Sequence, residues 1–251
     1  MATMTLITML LIGVFGGLIS GMVGIGGAII IYPAILIIPS LLGLHTYTPY
    51  LVSGLASSQV FFSTLSGSLK AKSNPEFSLT LVLYMGASTL IGSTIGAFFT
   101  QWFSTTAVNS VYIVVAILAL VLLFIKVEPQ AGKPHLNRFL LIAFGLGIGA
   151  ISGIVGAGGS FMIIPVLLVF FKLPMNTVVA NSIVIAFISS IGSFVIKLLQ
   201  GFIPITDAIP LVIGSIIFAP IGLMIGKKLP SIVQKWIISI LIIIAVIQLI
   251  F

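Results

Sequence analysis

The amino-acid sequence predicts an all-α, polytopic membrane protein with two inverted repeats of about five membrane segments each and glycine-broken helical hairpins near the midplane. Three observations lead to this fold class: the composition, a glycine motif that occurs twice, and the placement of the basic residues. Of the 251 residues, 60% are hydrophobic and only 5% are charged. So few polar groups cannot cover the surface of a soluble protein of this length, and most of that surface must therefore contact lipid.

The repeated motif reads I-S-G-x-V-G-x-G-G-x-x-x-I-x-P and occupies residues 19–33 and 151–165. So many matching positions at one constant offset indicate two homologous halves. The predicted division is a first repeat at residues 1–126, a cytoplasmic linker at 127–138 and a second repeat at 139–251.

Ten apolar segments, separated by glycine, proline, serine or charged residues, follow one another along the chain. We label them A to J: 4–20, 25–42, 50–69, 77–100, 105–125, 139–152, 157–171, 177–199, 206–226 and 231–251. Segments C, D, E, H, I and J have the length of about 20 residues that a helix needs to cross the hydrocarbon. Segments A, B, F and G are shorter. The motif joins A to B and F to G, so each pair is predicted to form a hairpin, either as two thin crossings or as a re-entrant loop.

The basic residues test this segment count, because they mark the cytoplasmic side of a membrane protein. Loops that follow an odd number of segments all lie on one side of the membrane. Nine basic residues lie in or beside these loops: Lys70, Lys72, Lys126, Lys133, Arg138, Lys172, Lys227, Lys228 and Lys235. Only Lys197 falls on the other side. The net charge of +7 is therefore interpreted as a topology signal. Both termini are predicted to be extracytoplasmic in the cell inner membrane, and a repeat unit with an odd number of segments must be inverted.

The glycines of the two halves divide into two groups of six. Those of the first group recur every fourth residue and share one helix face, which predicts close helix packing: Gly13, Gly17, Gly21, Gly145, Gly149 and Gly153. Those of the second group are too dense for a helix and predict a turn with unusual backbone angles: Gly24, Gly26, Gly27, Gly156, Gly158 and Gly159. A helix that begins after such a break has free N–H groups that attract anions. Two such starts would point at one midplane site; the alternative is a tight turn that only folds one helix against the next.

Polar residues also lie inside the long apolar segments C and H. They cost free energy there unless they form hydrogen bonds, so they either join helices or bind a ligand through neutral donors. A register that sets Ser57 opposite Ser182 favours binding. The complete set of predicted substrate-binding residues is Gly24, Gly26, Gly27, Ser57, Ser58, Gln59, Gly156, Gly158, Gly159, Ser160, Asn181 and Ser182.

Catalytic and metal-binding chemistry has little support in this sequence. The three acidic residues, Glu76, Glu128 and Asp207, lie at or near segment ends, so the usual carboxylate proton relay is missing from the membrane. His45 and His135 are in predicted loops, and there is no cysteine. We therefore expect neither an enzyme nor a bound metal or cofactor.

The paired G-x-x-G-x-G-G-x-x-x-x-x-P motifs, at residues 21–33 and 153–165, resemble those of the TauE/SafE family, the sulfite exporter or TSUP group of permeases. The similarity covers essentially the whole chain. It implies two related halves of several helices that move sulfite, sulfonates and related sulfur-containing anions, often outward, across the bacterial or archaeal inner membrane. The stretch Ala180-Asn181-Ser182 is similar to the A-x-G-T-S stretch of the family, with Asn in place of its Gly-Thr chemistry.

The expected function is export of a small anion, sulfite or an organosulfonate, by an α-helical permease. Uptake of thiosulfate or another sulfur oxyanion stays open, and so does a different class, a non-transporting membrane scaffold subunit. The expected partners are the anionic substrate and the lipid bilayer, without nucleic acid. The sequence leaves a homodimer open.

Overall fold

The computed structural model describes residues 2–24, 26–71, 74–125, 127, 136–156 and 160–250, which form ten α-helices and a 3₁₀ turn at Thr100–Trp102. These residues contain no strand, so the all-α prediction is confirmed. Most of the predicted linker, together with Gly158 and Gly159, lies outside the described residues. The helices are α1 (Ala2–Val23), α2 (Ala28–Leu41), α3 (Pro49–Ala71), α4 (Leu79–Phe99), α5 (Thr105–Phe124), α6 (Arg138–Val155), α7 (Ser160–Val169), α8 (Met175–Leu199), α9 (Ile205–Gly226) and α10 (Ser231–Ile250).

The ten helices match segments A to J in order, but they differ from the prediction in which of them reach membrane length. Among the described residues, α1, α4, α5, α6, α8 and α9 are long and apolar enough to cross a membrane. The sequence predicted that A and F would be short. This is wrong, because Gly21 and Gly153 remain helical, and α1 and α6 therefore continue to Val23 and Val155.

Helix α3 shows the opposite difference. It has 23 residues, but seven serine, threonine and glutamine side chains are buried along it, so it lacks the hydropathy of a spanning helix. Those side chains are Ser53, Ser57, Ser58, Gln59, Ser63, Thr64 and Ser68. A helix with this composition is placed inside the bundle, where other helices shield it from lipid.

The helices that follow the glycine motifs are short. Helix α2 has 14 residues and α7 has 10, which correspond to lengths of about 21 Å and about 15 Å. The hydrocarbon core is about 30 Å thick. As helices, α2 and α7 therefore cannot cross it, which favours the re-entrant alternative for both hairpins. The two short helices also contact each other.

The most extensive helix contacts join α1 to α9 and α4 to α6. At these contacts a Cβ atom on Gly17 would lie 2.7 Å from Ser215 Cα, and one on Gly149 would overlap the Thr89 carbonyl oxygen. The same obstruction occurs at the other glycines of the predicted packing faces: Gly13, Gly21, Gly145 and Gly153. The packing role of these six glycines is therefore confirmed. Missing side chains let the two backbones touch, which is a main source of helix association in lipid.

Helices α1 and α3 run in the same direction. A Cβ on Gly16 would lie 3.4 Å from Gln59 Nε2, and four residues further along each helix the hydroxyl groups of Ser20 and Ser63 form a 3.0 Å hydrogen bond. The intervening helix α2 must therefore return the chain to the end of the bundle where it began. The predicted pairing of segments A and B in a hairpin stays a prediction.

Helices α3 and α8, which correspond in the two halves, run in opposite directions. Gly54 near the start of α3 packs on Phe202 just after α8, whereas Gly67 near the end of α3 packs on Ile183 early in α8. Between these contacts the Phe61 ring stacks on Phe194, with 4.7 Å between centroids. Aromatic side chains therefore fill the middle of the α3–α8 contact.

The packing faces make a testable prediction, for which α6 offers a matched pair of positions. Gly149→Ala should lower the free energy of unfolding by about 1–3 kcal/mol, because its methyl group meets the α4 backbone. Gly147 has nothing within 4 Å of its Cβ position, so Gly147→Ala should be neutral or stabilising through helix propensity. Thermal unfolding of the two purified variants tests this, and equal melting temperatures would show that the glycine face does not limit helix approach.

Candidate functional site

The chain between α1 and α2 forms a turn that we call the first glycine turn, residues 24–27. Its described members, Gly24, Gly26 and Gly27, have φ angles of 74°, 69° and 75°. Side chains are strained at such angles, so glycine is favoured at all three positions. Gly27 caps the start of α2 without a side-chain hydrogen bond. The N–H groups of the first turn of α2 therefore have no side-chain acceptor at the cap, which is the condition that makes a helix start attract anions.

Gln59 of α3 lies beside this helix start. A Cβ on Gly27 would be 3.2 Å from Gln59 Nε2. The side chain is fully buried, and neither Nε2 nor Oε1 has a hydrogen-bond partner among the described residues. Gln200 and Gln234 each leave only Oε1 unpaired, so Gln59 alone leaves both polar atoms unpaired among the buried side chains that the structure describes. An unpaired buried amide is costly and indicates a missing ligand or water.

Ser182 of α8 contacts the first glycine turn, and its predicted role in substrate binding stays a prediction. Its hydroxyl donates a 3.0 Å hydrogen bond to the carbonyl oxygen of Gly24. Beyond this contact a cavity of about 190 Å³ is lined by Met22, Val179 and polar side chains that include Asn176 and Lys227. Met22 near the end of α1 and Val179 of α8 place this cavity close to the first glycine turn, and Glu76 also lines it.

Asn181, also predicted to bind substrate, already has three protein partners. Its Oδ1 accepts from the Ser78 N–H at 2.8 Å, and its Nδ2 donates to the carbonyl oxygens of Glu76 at 2.9 Å and Thr177 at 2.7 Å. These bonds fix the residues before α4 against the start of α8. The arrangement supports the helix-joining alternative for Asn181; its binding role stays a prediction.

Ser57 and Ser58 are buried, but their hydroxyls donate to the Gly54 carbonyl oxygen in their own helix, at 2.7 and 3.0 Å. They are therefore near the site without contacting the first glycine turn. The second glycine turn, residues 156–159, is described only at Gly156, whose φ is 80°. Ser160 begins α7. The binding roles of these residues remain predictions.

The two turns meet α8 and α3 at corresponding points. A Cβ on Gly24 would lie 3.0 Å from the Val179 carbonyl oxygen, and one on Gly156 would overlap the Ser53 carbonyl oxygen. Val179 of α8 and Ser53 of α3 therefore occupy corresponding positions in the two halves, 126 residues apart in the sequence. The sequence analysis set Ser57 opposite Ser182, which are 125 residues apart. Its alignment of the two helices is therefore wrong by one residue, which is about 100° around the helix.

Two tyrosines hold the start of α2 in place, and sequence analysis missed both. Pro33 lacks an N–H, so the carbonyl oxygen of Ile29 loses its partner within the helix. The Tyr112 hydroxyl of α5 donates to that oxygen instead, and the ring of Tyr112 stacks on Tyr32 at 4.8 Å. Pro33 was the signal in the sequence that could have revealed this contact. A proline inside a membrane helix leaves a carbonyl oxygen that needs a donor from a neighbouring helix.

Lys197 is the other residue whose position was not anticipated. Sequence analysis assigned it only a topological role, yet it is fully buried in the last turns of α8, and its Nζ donates to the Ile154 carbonyl oxygen at 3.1 Å. Ser193 and Ser189 are also buried, four and eight residues earlier in the helix. That spacing puts all three on one face, and it was the signal that could have revealed a buried lysine.

Two further cavities have mainly apolar linings, and the residues that line them do not include the glycines of either turn. Cavities of about 770 and 410 Å³ are lined mainly by aliphatic side chains of α5, α7 and α10 and of α1, α2 and α10, respectively. Their linings offer no unpaired polar group of the kind present at Gln59. Within the described part of the chain, no group of histidine and carboxylate side chains is arranged to hold a metal ion.

Helices of spanning length around a buried polar interior define a multi-pass membrane protein. The chain belongs to the TauE/SafE family, because the family model described as "Sulfite exporter TauE/SafE" matches residues 9–249. It is similar to the "Probable membrane transporter protein YunE" of Bacillus subtilis, at 24% identity over 91% of each chain. It is also similar to "Probable membrane transporter protein YdhB" of the same organism, at 24% identity over 87% of this chain and 89% of the relative. No solved structure matches the chain significantly.

Gln59 and Asn181 make opposite predictions for stability. In protein without ligand, Gln59→Leu should raise the free energy of unfolding by about 1–3 kcal/mol, because it removes a buried unpaired amide. Asn181→Leu should lower it by a similar amount, because it leaves the partners of three hydrogen bonds unpaired. Thermal unfolding in one detergent compares the two. A Gln59→Leu variant less stable than wild type would mean that the amide has partners in the membrane.

Proposed function

We propose that this protein exports a small sulfur-containing anion, sulfite or an organosulfonate, and that the anion binds between the start of α2 and Gln59. One observation carries the proposal: an uncapped helix start lies beside a fully buried amide with no partner among the described residues. Both groups supply N–H donors, and the Gln59 amide is the one without a partner among the described residues. The helix dipole adds a partial positive charge at the same place, so an oxyanion would pair this donor and be attracted by the helix start.

The direction of the helices supports an inverted repeat, which we propose for the two halves. Helices α3 and α8 are antiparallel, and the packing of α1 on α9 is repeated by α6 on α4. Glycine turns at opposite ends of the bundle would give the anion one approach from each side of the membrane. The basic residues support an orientation with both termini extracytoplasmic.

Membership of the TauE/SafE family supports the choice of a sulfur oxyanion. The alternative of a scaffold subunit has no use for an unpaired amide at the start of a broken helix, since such a group destabilises the fold. Uptake of thiosulfate or another sulfur oxyanion would use the same donors. The direction of flux distinguishes uptake from export.

The membrane potential is a sufficient driving force for export. Of the acidic residues that the structure describes, Glu76 lies before α4 and Asp207 in the first turn of α9, so neither is a carboxylate relay at the centre of a helix. Expelling one negative charge from a negative interior releases about 2.3 kcal/mol per 100 mV. The proposed mechanism is therefore electrogenic efflux without a proton-carrying carboxylate.

The test is sulfite flux in proteoliposomes under a potassium–valinomycin potential without a pH gradient. Wild type should transport sulfite down the potential. Gln59→Leu should weaken sulfite binding about ten- to a hundredfold, the expected cost of a hydrogen bond to a charged ligand. The matched control is Thr64→Val, since the Thr64 hydroxyl bonds only to carbonyl oxygens of α3 itself; it should retain wild-type binding.

Three results would contradict the proposal. Wild type without flux of sulfite, taurine or thiosulfate would favour the scaffold. Flux that ignores the potential but follows an imposed pH gradient would require a proton carrier. Normal sulfite affinity in folded Gln59→Leu would remove Gln59 from the site.

A further inference from the structure

A buried positive charge lies at the end of the bundle opposite the first glycine turn. The Nζ atom of Lys197 bonds to Ile154, two residues before Gly156 of the second glycine turn. Along α8, Lys197 is about 30 Å from Val179, whose carbonyl oxygen lies against Gly24. This charge therefore lies near the second glycine turn only. Among the described residues, no buried lysine or arginine lies near the first glycine turn.

No carboxylate neutralises Lys197 in the described part of the chain. Glu76 accepts a hydrogen bond from Thr177, at the far end of α8. Asp207 accepts one from the Tyr47 hydroxyl at 2.7 Å. Burial, and then the hydrogen bond and the negative charge of Asp207, raise the pKa of Tyr47, so this phenol stays protonated and occupies the carboxylate. A buried ammonium without a counter-charge is costly and is retained where it has a function.

The protein partners of Lys197 leave donors unused. Its ammonium has three N–H groups and one oxygen acceptor among the described residues, the Ile154 carbonyl. The ring of Phe202 lies 5.6 Å away and adds a cation–π contact. Thr100 also donates to the Ile154 oxygen, at 3.3 Å, so the end of α6 has a cap without the lysine.

We infer that Lys197 is an anion-binding residue that holds the transported sulfur oxyanion beside the end of α6, at the end of the bundle opposite Gln59. This inference rests on the proposed function and extends it. The neutral donors at Gln59 would accept the anion at one end, and the fixed charge at the other end would attract it along the pathway. Among the described residues, the end at Lys197 would then have a buried lysine, whereas Lys227 in the cavity beside the first glycine turn is exposed.

The test compares sulfite dissociation constants of the full-length protein. Lys197→Gln keeps an N–H donor for the Ile154 oxygen but removes the charge, and it should weaken sulfite binding about tenfold or more. Lys197→Arg keeps the charge and should stay within about threefold of wild type. Thr100→Val removes the other donor to Ile154. It is the structural control, which should lower the melting temperature without changing sulfite affinity.

Should Lys197→Gln fail to fold, the wild-type protein still provides a test. In protein labelled with ¹⁵N-lysine, the Nζ resonance that is lost in Lys197→Arg should shift when sulfite is added. An unshifted resonance at saturating sulfite overturns the inference. So does unchanged affinity in Lys197→Gln, or an equal loss of affinity in Thr100→Val. Wild type that neither binds nor transports sulfite overturns the proposed function as well, whereas wild-type binding with an unaffected Lys197→Gln overturns this inference alone.

Discussion

Hydrogen bonding of backbone groups inside lipid is the constraint on which this structure depends, because no water is available to replace a missing partner. Serine hydroxyls join helices through carbonyl oxygens, as Ser93 does with Ser189 at 2.6 Å. Where Pro220 removes an N–H from α9, Ser66 of α3 donates to the exposed Ile216 oxygen at 3.0 Å. Two buried groups differ from this pattern: the Gln59 amide has no hydrogen-bond partner, and Lys197 has no carboxylate partner, among the described residues. The proposed anion would supply a partner to each.

The two halves depend on each other for packing. Each half supplies a glycine-faced helix, α1 or α6, and that helix packs on the fourth helix of the other half. The short helices α2 and α7 follow the two glycine turns, and they contact each other as well as the longer helices around them.

Sequence patterns predicted the ten helices and the packing glycines because both depend on local spacing. They failed for features that depend on packing against other helices. The end of α1 was predicted too early: segment A was ended at Ser20, but the helix continues to Val23, with Gly21 packed against α9. The register of Ser57 was wrong by one residue, since loops of different length precede α3 and α8. The burial of Lys197 depends on α6, and the role of Tyr112 on a proline in α2.

The central claim is that an oxyanion binds between the start of α2 and Gln59. The most direct measurement is an experimental structure with selenite, a heavier analogue of sulfite, located by its anomalous scattering. The account predicts a selenium peak within hydrogen-bond distance of Gln59 Nε2 and the first N–H groups of α2. Ordered selenite bound only elsewhere, with Gln59 paired to a protein group at saturating ligand, would contradict it.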